Sequence, residues 1–394
     1  MMEKVLLIGI DGVYNYGCEA IVRGTVEILK AVNPKIEVTY ASYNFEDDRK
    51  RLSDCDIKIL PRPKRRRWSW YNIVRKCLSY LHIPYVVPYD KLDWVVGFDT
   101  VFSIGGDIYT LASNGSYNAS LPLFLEQLQQ RGIKYILWGA SVGKFEENHL
   151  ALRFFSHHLS KINLIVSRES NTWEYLQSLN LNANLCLAPD PAFLVKNPVN
   201  LVPEQHEGII IGINLSPLSA LYEYGSIEEA VAIQAEAVIR LIERRGCEVL
   251  FLPHVLSPDK SDNDLLYMKA IYDKLPKNFQ DKIMIIDSDP GFVGLKRFIV
   301  KCDYVIAARM HCAINAITVS VPTLFLSYSE KAKGMAEFVY GSKDMVVALG
   351  DFENTQLVIE RLEKCKFQSR IEEIRDFDYN NTTVQRNFLR HDLN

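Results

Sequence analysis

The sequence predicts an α/β protein made of two doubly wound, parallel-sheet domains. Short continuous apolar runs alternate with amphipathic helical stretches along most of the chain, as in parallel strands that helices cover on both faces. The alternation stops in a polar stretch with two prolines at 196–208 and then starts again. With 394 residues, the chain is also too long for one ordinary core.

These observations define the expected domains. We place an N-terminal domain at 1–195, a linker at 196–208 and a C-terminal domain at 209–350, followed by charged amphipathic helices at 351–394. Within the first domain, 44–93 breaks the regular alternation and is predicted as an insertion with basic and aromatic residues.

Composition argues against several classes of protein. A net charge of −3 disfavours nucleic-acid binding, which needs a basic face. The eight cysteines form no CxxC pair and most lie in apolar runs, which indicates free thiols in a reducing compartment. No HExxH spacing supports a metal site, and no apolar window approaches the ~18 residues of a spanning helix. We expect a cytoplasmic protein, at most peripheral at the inner face of the cell membrane, with no metal and no cofactor.

The first strand, Lys4 to Ile10, leads through a glycine-punctuated turn into a helix over about 19–32. The turn contains Asn15 and Gly17, and such a turn lets the backbone approach a ligand closely. Its spacing fits neither the dinucleotide fingerprint nor a phosphate loop. The alternative is a tight strand-to-helix connection.

Further strands of the first domain end in polar or glycine residues. The strand at 100–104 ends in Gly105-Gly106-Asp107, where a carboxylate is well placed to act as acid, base or hydroxyl binder, or as a helix cap. After the next three strands come Ser141, Arg168 and Asp190. Because parallel strands present their carboxyl ends at one edge, these side chains are predicted to share a ligand-binding edge.

Basic and aromatic residues mix at 62–76. Arg62 and the run 64–67 precede Trp68, Trp70 and Tyr71. Cations beside Trp and Tyr suit an anionic membrane surface, where each cation adds about 1 kcal/mol. The alternative is an ordinary solvated loop.

The second domain repeats the pattern with strands at 209–214, 248–252, 283–286, 304–307 and 321–326. Ser216 follows the first of these strands and His254 the second. The fourth ends in Arg309 and turns at once into a helix that begins near His311. Arg309 offers a fixed fork for a carboxylate or phosphate, His311 can move a proton near neutral pH, and the helix N-terminus favours an anion. The alternative is a surface ion pair and a helix cap.

Six short motifs follow one another within residues 5–335: Asn15 to Ile21, Gly105-Gly106-Asp107, Ser167-Arg168-Glu169, Pro189-Asp190-Pro191, Pro253-His254 and Arg309 to Ala316. In this order they resemble the polysaccharide pyruvyl transferase family, and Arg-x-His before small residues is the most specific element. Two Rossmann-like domains facing a cleft likewise resemble the B-type glycosyltransferase (GT-B) fold. Cys18 departs from the family, which often has Asp after the glycine, so the resemblance bears on the backbone of this turn rather than its side chains.

The resemblance implies transfer of a pyruvyl group from phosphoenolpyruvate to two hydroxyls of one sugar, with release of phosphate and formation of a cyclic ketal. The acceptor is expected to be a lipid-linked polysaccharide precursor, and the basic segment at 62–76 is where we expect docking to the membrane. Arg309 and Arg168 are assigned to the two anionic groups of the donor, and His311 to acid–base catalysis. Asp107 is assigned as a sugar-binding or activating carboxylate and His254 as a second donor near the phosphate. The expected catalytic residues are therefore His311, Asp107 and His254. The acceptor is expected on the side of the N-terminal domain and the donor on the side of the C-terminal domain. The remaining substrate-binding assignments are Asn15, Gly17, Gly105, Gly106, Ser141, Asp190 and Ser216.

Two other functions remain open from the sequence. A GT-B glycosyltransferase could place the diphosphate of a nucleotide sugar against Arg309, with Glu330 as the one residue suited to its ribose. The other function is that of a non-catalytic sugar- or anion-binding module, although such a module has no need of the proton donor that His311 supplies.

Overall fold

The chain forms two compact α/β units in the computed structural model, which describes residues 3–62, 69–81, 95, 97–106, 109–112, 114–199, 201, 206–328 and 330–365. Of the described residues, unit 1 contains 3–12 and the ones between 25 and 190. Unit 2 comprises Val13–Gly24 and those between 191 and 365. The turn with Asn15 and Gly17, which the sequence placed in the first domain, therefore belongs to the second unit.

Unit 1 contains a seven-stranded parallel sheet with the order β3-β2-β1-β4-β5-β6-β7. Its central strands are buried on both faces, which explains why they read as continuous apolar runs. The strands are β1 (Lys4–Ile8), β2 (Glu37–Ser42), β3 (Lys58–Pro61), β4 (Thr100–Ile104), β5 (Lys134–Ala140), β6 (Leu164–Ser167) and β7 (Leu185–Leu187).

The connecting segments of this sheet are mostly helical. The helices are α1 (Tyr16–Val32), α2 (Phe45–Arg51), α3 (Trp70–Tyr80), α4 (Ser120–Gln129), α5 (His149–Leu159) and α6 (Ser170–Ser178). The predicted insertion at 44–93 needs correction, because α2 and β3 are regular parts of the fold and β3 pairs with β2 at the sheet edge. β3 was not recognised from the sequence because it is a half-buried edge strand with the sequence KILP, in which only the two central residues are aliphatic.

Unit 2 contains a six-stranded parallel sheet with the order β10-β9-β8-β11-β12-β13. Its strands are β8 (Ile209–Asn214), β9 (Cys247–Phe251), β10 (Ile283–Ile285), β11 (Tyr304–Ala307), β12 (Thr323–Ser327) and β13 (Val346–Ala348). Its helices are α7 (Pro217–Tyr224), α8 (Ile227–Arg245), α9 (Asp264–Lys274), α10 (Lys277–Gln280), α11 (Gly291–Ile299), α12 (Met310–Ile317), α13 (Glu330–Tyr340) and α14 (Thr355–Cys365). The two doubly wound sheets confirm the predicted fold class.

The start of α1 packs into the core of unit 2. Tyr16 and Ala20 are fully buried in the same apolar cluster as Phe292. Just before the helix, the backbone of Asn15 pairs antiparallel with Val255. Hydrogen bonds from Tyr16 N to His254 O (3.0 Å) and from Leu256 N to Tyr14 O (3.1 Å) flank this bridge. The glycine-punctuated turn is thereby held against the loop that follows β9.

The cysteines of the described part of the chain are free thiols, as predicted. Four of them, at 186, 247, 302 and 312, are buried. Burial raises the pKa of Cys247 to about 11 and that of Cys302 to about 12, so these thiols stay protonated and inert.

Candidate active site

The end of β11 is fixed to the end of the neighbouring strand β8. The amide of Arg309, which is the N-cap residue of α12, donates to Asn214 Oδ1 at 2.8 Å. The amide of Ala308 donates to the Asn214 carbonyl at 3.0 Å. The buried Asn214 side chain therefore sets where β11 stops and where the following helix begins.

The Arg309 side chain makes two ion pairs. Its Nε and Nη2 donate to Asp264 Oδ1 at 3.1 and 2.8 Å, and Nη2 also donates to Asp262. Burial disfavours the charged guanidinium, but the two carboxylates outweigh it and raise the pKa of Arg309 above its usual range. No residue in the described part of the chain accepts a hydrogen bond from Nη1. The ion pair that was the alternative interpretation of Arg309 is thus present. Binding of a ligand anion by Arg309 stays a prediction, and Nη1 is the atom that would make this contact.

Asp264 connects three segments of unit 2. Besides Arg309, it accepts hydrogen bonds at Oδ2 from the amides of His254 and Val255 (both 3.1 Å) and from Asn214 Nδ2 (3.2 Å). Burial raises the pKa of the Asp264 carboxyl, while the Arg309 charge and the other donors around its two oxygens favour the ionised form. No role for Asp264 was predicted from the sequence. The polar run Ser261 to Asn263 before α9 signals a helix cap, and Asn263 is indeed that cap.

His254 lies after β9 in an almost fully buried position. Its ring packs edge-on against Tyr16 (5.4 Å between centroids) and Phe292 (5.8 Å). Burial lowers the pKa of His254 well below its usual range, and the charges of His311 and Arg309 lower it further. His254 is therefore neutral at physiological pH. Its Nε2 is buried without a hydrogen-bond partner among the described residues, so this is a polar atom that a ligand can satisfy.

His311 lies in the first turn of α12, directly against the first turn of α1. A methyl group built on the α-carbon of Gly17 would be 2.5 Å from His311 Nδ1, so only glycine fits beneath the ring. Asn15 Oδ1 accepts a hydrogen bond from Gly17 N at 2.9 Å and fixes the turn. The structure thus brings three predicted site residues together, with Gly17 and Asn15 supporting His311.

Two residues that the sequence did not single out hold this turn in place. Tyr16 donates its hydroxyl hydrogen bond to Asp289 at 2.6 Å. The buried Glu19 accepts from Phe292 N at the start of α11 (2.9 Å) and from Arg23 Nε (2.8 Å). A carboxylate at a helix N-terminus is favoured by the helix dipole. Glu19 occurs in the first motif, but nothing local in the sequence indicates its partner.

Ser216 occupies the predicted position after β8. It is the N-cap residue of α7, yet its side chain does not cap the helix. Its buried Oγ has no hydrogen-bond partner among the described residues. Ser216 Oγ and His254 Nε2 are therefore both buried at the carboxyl edge of the unit 2 sheet, with no hydrogen-bond partner among the described residues.

In unit 1, four other predicted site residues form a separate cluster. The buried Arg168 donates from Nε to Ser141 Oγ (3.0 Å) and from Nη1 to Asp190 Oδ2 (2.8 Å). Its guanidinium also packs on the α-carbon of Gly106, where a side chain would collide with it. Asp190 neutralises the charge of Arg168, so this cluster fixes the strand ends of unit 1. Direct contact of Arg168 with a donor stays a prediction.

The loop after β4 is described only in part. Gly105 has a φ of +121°, a conformation that favours glycine. Ser141 N donates to Gly106 O at 2.9 Å, which joins this loop to the end of β5. Asp107, to which we assigned the sugar, lies outside the described residues. The basic run 64–67 and Trp68 also lie outside them, as does the tail from 366 onward.

In the part of the chain that the structure describes, no group of three or more His, Cys, Asp or Glu side chains is arranged to hold a metal ion. No described helix combines the length and apolar character that crossing a membrane requires.

Three solved structures share a similar fold with this chain at low sequence identity. The UDP-GlcNAc 2-epimerase from Neisseria meningitidis, bound to UDP-GlcNAc, is 14% identical with a TM-score of 0.61 over 95% of this chain and 97% of its own. S. aureus MnaA, solved with UDP, is 12% identical with a TM-score of 0.58 over 94% and 91%. The UDP-GlcNAc 2-epimerase from Methanocaldococcus jannaschii is 11% identical with a TM-score of 0.56 over 93% of each chain. These similarities show a GT-B-like fold with two Rossmann-like domains.

The sequence itself identifies the family. No curated protein sequence matches the chain. The family model of the polysaccharide pyruvyl transferases matches residues 15–330, about four fifths of the 394 residues. This match begins at Asn15 in the turn beneath His311 and extends past Arg309 and His311. The chain belongs to the polysaccharide pyruvyl transferase family.

Proposed function

We propose that this protein transfers the pyruvyl group of phosphoenolpyruvate to two hydroxyls of one sugar and forms a cyclic ketal. The observation that carries the proposal is the arrangement at the end of β11. There His311 rests on Gly17, Arg309 is charged, and the neutral His254 has an unsatisfied Nε2. Membership of the polysaccharide pyruvyl transferase family supports the transferase reaction class.

The reaction needs a general acid, a general base and groups that stabilise the negative charges of the donor. Protonation of the donor methylene at C3 makes C2 electrophilic, and a sugar hydroxyl adds to C2 with loss of its proton. The C2–O bond to phosphate then breaks, and the second hydroxyl adds to C2. Of the two protons that the hydroxyls release, the ketal methyl group accounts for one and the departing phosphate for the other. No electrons are exchanged with a cofactor.

The residues of unit 2 can meet these needs. His311 is proposed to deliver the proton to C3 and to accept one from a hydroxyl, because it is the imidazole in the first turn of α12 and is partly exposed. The free Nη1 of Arg309 and the amide groups at the start of α12 are proposed to stabilise the anionic donor. Neutral His254 is proposed to donate a hydrogen bond near the phosphate rather than a proton. Ser216 Oγ can bind either substrate.

Arg168 has a different role in this proposal. Because Asp190 already neutralises its buried guanidinium, Arg168 is a positioning residue that fixes the loops of unit 1. Its pairing with Ser141 holds the ends of β5 and β6 together.

We further propose that the acceptor is lipid-linked and that the protein meets the membrane through α3. Trp70 and Ile73 in α3 and Leu81 just after it are exposed, and their spacing of three and eight residues places them along one side of a helix. The sequence run 64–67 supplies four cations just before this helix. An exposed apolar strip beside cations suits an anionic lipid surface.

The assay for the proposed function is phosphate release from phosphoenolpyruvate with a galactoside or an N-acetylhexosaminide as acceptor. Release that depends on both substrates, with a ketal in the product, is expected. The similar fold of enzymes solved with UDP or UDP-GlcNAc motivates a second arm with UDP-sugars alone. Turnover in that arm and none with phosphoenolpyruvate would favour a glycosyltransferase. Sugar binding without turnover in either arm would favour a binding module.

A further inference from the structure

An exposed tyrosine pair lies at the carboxyl edge of the unit 2 sheet and is not used by the chemistry proposed above. Tyr222 lies in α7, and Tyr328 directly follows β12. Their ring centroids are 5.6 Å apart and their planes are tilted by 58°. Tyr222 is 71% exposed and Tyr328 is 39% exposed. Large aromatic side chains that pack on each other at the surface, outside the core, mark an interaction site.

The strand order places this pair beside Arg309 and His311. Helix α7 follows β8, and Tyr328 follows β12. These two strands are the two neighbours of β11, whose carboxyl end leads into Arg309 and His311. Adjacent strands lie about 4.8 Å apart, so β8 and β12 are separated by roughly 10 Å. The tyrosine pair therefore joins segments that come from either side of the proposed catalytic residues.

Leu218 extends the exposed surface toward the strand ends. It lies four residues before Tyr222, so the two side chains share one face of α7. Leu218 is 43% exposed and belongs to the first turn of the helix, two residues after Ser216. We call Leu218, Tyr222 and Tyr328 the aromatic platform. The aromatic platform starts at Leu218, close to Ser216. It ends at Tyr328, which follows β12, the strand next to the one that leads into Arg309.

We propose that the aromatic platform binds a sugar ring of the acceptor, an inference that rests on the proposed function. A pyranose ring has a face of C–H groups that packs on an aromatic ring, while its hydroxyls stay hydrated or reach the tyrosine hydroxyls. An exposed platform suits such a ligand, because the hydroxyls need not be desolvated.

The absence of a cation from the aromatic platform favours a neutral sugar over the anionic alternatives. In α7, Glu223 is the one charged residue in the sequence PLSALYEY, and its carboxylate lies against Gly350. Leu218, Tyr222 and Tyr328 include no cation, so the platform has no charge to pair with the anionic groups of phosphoenolpyruvate or of a nucleotide diphosphate. The neutral acceptor is therefore the substrate assigned to this surface, and the anionic donor is left to Arg309 and the start of α12.

The test compares Tyr222→Ala and Tyr328→Ala with two controls. Tyr222→Phe keeps the ring and removes only the hydroxyl. Met284→Ala removes a similarly exposed side chain from β10, the edge strand of the same sheet. The probes are a methyl β-galactoside, an N-acetylhexosaminide and UDP. Binding of each probe is followed by saturation-transfer NMR without donor, and phosphate release is measured with phosphoenolpyruvate.

We expect each Tyr→Ala variant to raise the KM for the glycoside acceptor roughly 10-fold, with the KM for phosphoenolpyruvate unchanged. Tyr222→Phe and Met284→Ala should stay within about twofold of the wild type. The glycoside NMR signal should fall in both alanine variants. Because all these side chains are exposed, the variants should fold, which circular dichroism checks.

Unchanged glycoside binding and unchanged acceptor KM in both alanine variants would overturn the platform. So would loss of UDP binding with glycoside binding intact, since that result assigns the surface to a nucleotide. Absence of glycoside binding to the wild type also overturns it. If the wild type binds glycosides through the tyrosines but releases no phosphate, the platform stands and the proposed function fails.

Discussion

The imidazole of His311 rests on the α-carbon of Gly17, with no room for even a methyl group between them. Gly24 is similarly crowded seven residues later, but there the neighbour is the backbone carbonyl of Pro191. A side-chain ring can rotate away from a new methyl group, whereas a packed backbone cannot. The two glycines therefore allow a functional constraint to be separated from a structural one.

Gly17→Ala should displace His311 and reduce turnover about 100-fold, because a shift of about 1 Å in a catalytic group costs this much. Its free energy of unfolding should change little, since alanine in a helix offsets some of the strain. Gly24→Ala should instead lower the free energy of unfolding. Phosphate-release kinetics and urea unfolding measure the two effects. A Gly17→Ala enzyme with wild-type kcat would show that the position of His311 is unimportant.

The two aspartates that pair with Arg309 should differ in their contribution to stability. Asp264 is fully buried and accepts from four residues, so Asp264→Asn should lower the free energy of unfolding by about 3–5 kcal/mol. Asp262 is 28% exposed, and Asp262→Asn should cost less than about 1 kcal/mol. Urea unfolding of both variants is the measurement. Similar losses would mean that Asp264 does not organise the strand ends.

Unit 2 should lose stability below about pH 6.5 in part through His254. Its pKa is lowered in the folded state, so the unfolded chain binds the proton first as the pH falls. This contribution is absent above about pH 6.5 and grows below it, by at most about 1.4 kcal/mol per pH unit. His254→Gln should flatten the pH dependence between about pH 6.5 and 5. The exposed His149→Gln is the control, and a slope unchanged by His254→Gln would contradict a neutral His254.

Membrane docking through α3 predicts a lipid dependence. Changing Arg65, Arg66 and Arg67 to Ser should weaken sedimentation with anionic vesicles, because each cation contributes about 1 kcal/mol. Trp70→Ser should weaken it as well, through loss of an exposed apolar anchor. Neutral phosphatidylcholine vesicles are the control. Equal sedimentation of all variants would leave this segment as ordinary surface.

The sheets could be predicted from the sequence because their signals are local. The runs of β4 and β11 were placed to the residue, since buried parallel strands read as uninterrupted apolar stretches. The strands β3 and β13 were missed, because both are edge strands that are only partly buried and so do not read as uninterrupted apolar runs. The positions of Ser216, His254 and Arg309 after strands followed from the same alternation.

The supporting contacts could not be predicted, because they join residues that are distant along the chain. Asp264 lies 45 positions before Arg309, and only the return of the loop before α9 brings them together. Likewise, nothing in the first turn indicates that Tyr16 pairs with Asp289, 273 positions away, or that Val13–Gly24 belongs to unit 2. Chain order therefore revealed the proposed catalytic side chains but not the residues that hold them.

Proton delivery to the donor methylene is tested most directly by NMR of the product formed in D₂O. The wild type, given phosphoenolpyruvate and a glycoside acceptor, should yield a ketal whose methyl group contains one deuterium. His311→Ala should yield no ketal, while binding of phosphoenolpyruvate is largely retained. Deuterated ketal formed at the wild-type rate by His311→Ala would contradict the role assigned to this imidazole.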